Sequence, residues 1–130
     1  MTEAWSAVKT IRQLAPYAPA IIWGAFLLFL GGRSDVPAVD TDLPLDKAAH
    51  FVLYGILGGL TAAGWLRTGR RPTWPWLLVC FALVGALDEL NQSRVPTRSS
   101  DYKDWLADAV GAGAAFGWVI WRKRERISEA

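Results

Sequence analysis

Cysteine and histidine are almost missing from this chain. The one cysteine, Cys80, lies inside an apolar run, so neither an internal disulfide nor a thiolate metal cluster can be built. The one histidine, His50, excludes zinc sites of the two- or three-histidine type unless carboxylates complete the sphere. Charge is sparse as well. Asp, Glu, Lys and Arg make up 20% of the 130 residues, and the formal net charge is +2. That balance, with no basic stretch interleaving aromatics, excludes nucleic acid as a partner. No phosphatase or nucleophile-elbow motif is present, and Ser93, Ser99 and Ser100 stand without one. Inverted repeats of the transporter kind are not apparent. A homo-oligomer is the one way so short a chain would enclose a pathway.

What the sequence does have is apolar length. Hydrophobic residues make up 52%, with eight Trp, more than a water-soluble domain of this size usually carries. Between Arg12 and Arg33 there are 20 residues with no ionisable group but the phenol of Tyr17, about one hydrocarbon thickness of helix. The run exceeds the roughly 7–15 residues of a signal-peptide core and reads as a first transmembrane helix, about 14–32. Before it, residues 1–13 carry Trp5, Val8 and Ile11 at helical spacing beside Lys9 and Arg12, which predicts a short interfacial helix. Gly, Pro, Ser and Asp then mark an acidic loop up to Leu45. Three further helices are expected at about 47–66, 72–91 and 104–121, followed by a basic tail, 122–130. The fold class is therefore all-α, a membrane bundle of four transmembrane helices.

The strictly uncharged lengths of the last three, 51–66, 72–87 and 109–121, fall short of the roughly 20 residues needed to span. Each borrows a neighbouring turn. At one end the neighbours are Arg67, Arg70, Arg71 and Arg122, whose long stems can snorkel outward. At the other they are Asp46, His50, Asp88, Glu89, Asp104 and Asp108, which are too short to do so. Nine basic residues gather on the first side (Lys9, Arg12, Arg67, Arg70, Arg71, Arg122, Lys123, Arg124, Arg126) and five on the second (Arg33, Lys47, Arg94, Arg98, Lys103). Trp65, Trp74, Trp76, Trp118 and Trp121 fall at the basic ends, as an aromatic belt would. Both signals place the acidic side outside, with both termini in the cytoplasm.

This orientation brings three polar stripes to one depth. Asp46, His50 and Tyr54 share a face of the second helix at i, i+4 and i+8. Asp88, Glu89 and Gln92 end the third helix, and Asp101, Asp104 and Asp108 enter the fourth. For Asp46, Asp101 and Asp104 a capping or helix-dipole role is adequate. His50, Asp88, Glu89 and Asp108 lie within or against apolar runs, where an ionisable group is costly unless paired. Lys47, Arg94 and Arg98 are the available partners, so a cluster that only fastens three helices is the structural alternative to a functional site. Close helix crossing is expected at two small-xxx-small pairs, Gly55/Gly59 and Gly113/Gly117.

Four motifs in order carry a resemblance. They are Asp46-Lys47-Ala48-Ala49-His50-Phe51-Val52-Leu53-Tyr54, Asp88-Glu89-Leu90-Asn91-Gln92, Pro96-Thr97-Arg98 with Asp104 six positions on, and Asp108-Ala109-Val110-Gly111. Together, over about residues 43–117, they resemble the VanZ-like family of small bacterial membrane proteins. The resemblance implies a bundle of about four helices in the bacterial cytoplasmic membrane, and a family name taken from a teicoplanin-resistance protein. This chain departs from the family pattern with Asp108 in place of Asn and Thr97 in place of Gly.

Two function classes follow. The first is a cell-envelope protein whose outer cluster recognises a lipid headgroup or a lipid-linked cell-wall precursor, altering glycopeptide access. Its binding set would be Asp46, Lys47, Tyr54, Gln92, Arg94, Arg98 and Asp104, with Lys47, Arg94 and Arg98 as anion contacts and Arg98 suited to bidentate recognition. Its partners would be membrane lipids, such a precursor, or a glycopeptide. The second is an enzyme on a lipid-linked phosphate or glycan, with His50, Asp88, Glu89 and Asp108 catalytic. In that class His50 would be base or metal ligand, and the carboxylates, Asp46 and Asp104 included, would move protons or bind a hard cation. The sequence names no cofactor and no particular metal.

Overall fold

The computed structural model describes residues 2–35, 45–69, 72–96, 98 and 100–128, with side chains from residue 8 onward. The side chain of Trp5, most of the acidic loop (36–44), Arg70, Arg71, Thr97 and Ser99 lie outside the described residues. All regular structure among the described residues is helical. Helix α1, Thr2–Leu14, passes through a 3-10 turn, Ala15–Tyr17, into α2, Ala18–Gly31; α3 is Leu45–Arg67, α4 Trp74–Gln92 and α5 Tyr102–Ser128.

Local chemistry sets these boundaries. Pro16 and Pro19 stand in the first turns of the 3-10 segment and of α2, where the missing N–H would have had no intrahelical partner. Pro75 does the same for α4, after Thr73 in extended conformation. Helix α3 stops where Gly69 takes a φ of 67°, left-handed backbone that suits a residue without Cβ.

Three stretches are long and apolar enough to cross a membrane: Val8–Gly31 with 24 residues, Leu45–Arg67 with 23 and Trp74–Gln92 with 19. At 1.5 Å per residue these are helices of about 28–36 Å. Helix α5 has 27 residues, about 40 Å. Charges at both of its ends keep it less apolar than the others, and its interior from Trp105 to Trp121 holds one ionisable group, Asp108. It continues through Arg122, Lys123, Arg124 and Arg126 to Ser128.

The contacts fix the helix directions. Pro16 backs onto Gly64 and the Trp23 indole donates to the Leu53 carbonyl at 2.9 Å, so α2 runs antiparallel to α3. The Trp105 indole donates to the Ala82 carbonyl at 2.9 Å and Gly113 meets Leu78, so α4 runs antiparallel to α5. Helices α3 and α5 are parallel and very close. A Cβ added at Gly58 would strike the Ala112 backbone, and one at Gly111 the Phe51 carbonyl. Of the glycines expected at crossings, Gly55 faces the Gly111 carbonyl and Gly113 faces Leu78, while Gly59 and Gly117 meet nothing among the described residues and the tightest approach falls at Gly58, one position from Gly59. One position is about 100° of rotation, enough to turn a contact face outward.

Below this crossing the core is aromatic. Phe116 takes Trp65 and Phe81 edge-on, with ring centroids 5.6 and 6.1 Å apart. Trp65 was expected in an interfacial belt, but it is buried and its indole donates to the Pro72 carbonyl at 2.8 Å. Trp74, Trp76, Trp118 and Trp121 remain exposed at that end.

If backbone contact between α3 and α5 sets the bundle, Gly58→Ala destabilises it by about 1–3 kcal/mol, the usual cost of overpacking. Gly59→Ala leaves stability unchanged or slightly raised. Thermal unfolding of the two variants in the same detergent makes the comparison.

Candidate functional site

Because α3 and α5 run parallel, their N-terminal ends lie side by side, and the C-terminal ends of α2 and α4 meet them there. This end carries the three polar stripes. Two positive helix-dipole ends together favour carboxylates there, and Asp46 and Asp104 occupy the first turns, with Asp101 just before α5. Lys47 sits among them, with Nζ 2.8 Å from Asp46, 3.0 Å from Asp104 and 3.4 Å from Asp101. The Asp101 carboxylate also accepts the Lys103 backbone N–H at 3.0 Å, which holds its pKa below the ordinary carboxylate range, with Lys47 adding to the effect. Lys47 thus clamps α3 to the entry of α5.

One turn deeper the groups are enclosed. His50 Nδ1 lies 2.8 Å from Asp108 Oδ1, and Asp108 is fully buried. The Tyr54 hydroxyl, 1% exposed, donates to Asp88 Oδ2 at 3.1 Å. Glu89 Oε2 accepts the Asp101 backbone N–H at 2.9 Å, tying the end of α4 to the start of α5. Gln92 is buried one turn beyond Asp88. Three carboxylate oxygens in this layer, Asp88 Oδ1, Glu89 Oε1 and Asp108 Oδ2, are buried without a hydrogen-bond partner among the described residues. Atoms of His50, Asp88 and Asp108 able to ligate a metal all lie within 4.8 Å of one another.

The other sequence-level candidates sit differently. Arg94 is exposed and Arg98 half-buried, and neither forms an ion pair among the described residues. Lys47, expected as an anion contact, is already surrounded by three carboxylates.

Sequence reasoning passed over two supports. Gly31, at the end of α2, packs so closely on Asp88 that a Cβ there would collide with Oδ1, and Asn91 donates to the Leu28 carbonyl at 2.7 Å. Gly85 makes room for Asp108, since an added Cβ would lie 3.3 Å from Asp108 Cβ and 3.4 Å from Oδ2. A glycine one turn before Asp88 was the available signal for the second. Nothing in the sequence pairs Gly31 with a carboxylate on another helix.

The VanZ/LLP1 family model matches residues 4–124. The chain belongs to that family. Its VanZ relatives are linked to glycopeptide resistance, and the apolar helices mark this member as a membrane protein. No curated protein and no solved structure matches it. In this VanZ chain the four motifs that suggested the family lie on the one polar end, with Thr97 outside the described residues.

Removing the Tyr54 hydroxyl leaves Asp88 Oδ2 without its donor in a buried layer. Tyr54→Phe therefore costs about 1–3 kcal/mol of stability. In an Asp88→Leu background the same change costs much less, and a double-mutant cycle by thermal unfolding reads the coupling.

Proposed function

We propose that this protein crosses the bacterial cytoplasmic membrane several times, with both termini in the cytoplasm and its polar end outward. There it recognises a lipid headgroup or a lipid-linked cell-wall precursor, and through that contact affects glycopeptides such as teicoplanin. The observation that carries the reading is the gathering, at one end of an otherwise apolar bundle, of carboxylate oxygens with no partner among the described residues, where Arg94 and Arg98 follow α4 without an ion pair among those residues. A cluster that served only to fasten helices would be expected to pair its own groups.

Two further features support it. Lys9, Arg12, Arg67, Arg122, Lys123, Arg124 and Arg126 share the opposite end, the distribution that retains an end in the cytoplasm. An apolar groove of about 470 Å³ between α2, α3 and α4 is lined by Tyr17, Leu28, Leu57, Phe81 and Val84. Leu28 and Val84, at one end of the groove, lie one turn below Gly31 and Asp88. A lipid would place its chain in the groove and its head against Arg98 and the cluster.

The His50–Asp108 pair favours a second reading, in which the protein is an enzyme acting on a lipid-linked phosphate or glycan at the outer leaflet. A carboxylate bonded to one imidazole nitrogen fixes the ring and leaves the other nitrogen for proton transfer.

Reporter fusions after Ser128 report the C-terminal side, and an extracytoplasmic signal there would reject the orientation. In nanodiscs carrying a lipid-linked precursor, Arg98→Ala weakens binding about tenfold or more, the loss of one charge-assisted contact. Unchanged binding together with unchanged teicoplanin susceptibility sinks the recognition reading. Assayed for precursor turnover, the same preparation tests the enzyme: activity lost in folded His50→Ala supports it, and activity retained removes His50 from the chemistry.

A further inference from the structure

The buried layer presents a problem of charge. Asp88 and Asp108 are 4% and 0% exposed, each has one oxygen without a partner, and no Lys or Arg among the described residues pairs with either. The Tyr54 hydroxyl donates to Asp88 Oδ2 and His50 meets Asp108 Oδ1, and Gln92 and the more distant Arg98 charge also act on Asp88. Glu89 adds another unpartnered oxygen. Buried carboxylates are paired or coordinate metals, because leaving them bare costs too much. Lys47, the nearest ammonium on the same helix, is held one turn further out by Asp46, Asp101 and Asp104.

We infer that His50, Asp88 and Asp108 bind one divalent transition-metal ion, of the Mn²⁺ or Zn²⁺ class, between α3, α4 and α5. The ligand atoms lie within 4.8 Å of one another, and His50 Nδ1 and Asp108 Oδ1 are 2.8 Å apart. Two ligands of one ion at about 2.1 Å each stand about 3–4.2 Å apart, so shifts of a fraction of an ångström bring the three groups into range. One imidazole with two carboxylates is a mixed nitrogen–oxygen set, suited to Mn²⁺ or Zn²⁺ and short of the thiolates that select softer ions. Tyr54 would act as an outer support, its hydroxyl holding Asp88 Oδ2, while the free Oδ1 lies against Gly31 of α2. Gly31 and Gly85 supply the space, since a side chain at either would press on Asp88 or Asp108. Three protein ligands leave a coordination position open, as in sites that accept a water or a substrate oxygen rather than closed structural ones. This site follows from the layer's geometry and does not depend on headgroup recognition.

The test uses the full chain in nanodiscs of uncharged lipid, stripped with chelator and titrated with Mn²⁺ alone. Free Mn²⁺ is followed by electron paramagnetic resonance, and Zn²⁺ retention by elemental analysis. The expected result is one ion per chain, with Asp88→Asn and Asp108→Asn each weakening binding more than about tenfold and Asp101→Asn leaving it unchanged. Wild-type protein that retains neither ion overturns the inference without any variant having to fold. So does binding that survives both deep substitutions, or that Asp101→Asn abolishes, which would place the ion on the outer acids.

Discussion

The distance between α3 and α5 governs the rest of this structure. In lipid, apolar side chains gain little by leaving their surroundings for one another, so helices associate through close packing and interhelical hydrogen bonds. Gly58 against the Ala112 backbone and Gly111 against the Phe51 carbonyl allow a parallel pair to touch at the backbone. That contact sets a register, and the register selects the partners. With Phe51 beside Gly111, His50 comes level with Asp108 and Lys47 with Asp104. A larger residue at either glycine would separate the helices, and pairs made at 2.8–3.0 Å would open first.

The polar end is therefore built in two layers with different physics. In the outer one Lys47 and its acids are partly exposed, and such pairs are screened and individually weak. Their use lies in holding the start of α3 to the start of α5. The inner layer is nearly dry, and its hydrogen bonds join all the long helices: His50 to Asp108, Tyr54 to Asp88, Glu89 to the Asp101 N–H, and Asn91 to the Leu28 carbonyl. In so dry a place an unmet hydrogen bond matters more than a made one.

Much of this could be read from the residues. The segregation of Arg and Lys from Asp and His at opposite ends of short apolar runs gave the helices, and helical spacing put His50 and Tyr54 on one stripe and brought them to one depth with Asp88 and Asp108. What could not be read was anything that depends on rotation about a helix axis. Gly58 and Gly59 are adjacent in sequence, yet one meets a backbone and the other meets nothing. Trp65 has the composition of a belt residue and the environment of a core residue, because its indole reaches the Pro72 carbonyl as the chain turns back toward α4. Lys47 looked like a free cation only because the distance between α3 and α5 is not written in either segment.

The same register bears on the residue at 108, where the resemblance drawn from the motifs implies Asn and this chain has Asp. An Asn there would offer His50 one acceptor and turn a donor toward the neighbouring carboxylates, satisfying part of the layer from within. Asp108 offers acceptors alone when ionised, so the substitution removes a donor from a layer already short of them. Gly85 gives that second oxygen room, and no described side chain bonds to it. A helix fastener would gain nothing from this exchange. A site that takes a positively charged or hydrogen-donating guest would gain an acceptor oxygen, which favours the proposal that the inner layer binds such a guest while the outer layer clamps the helices.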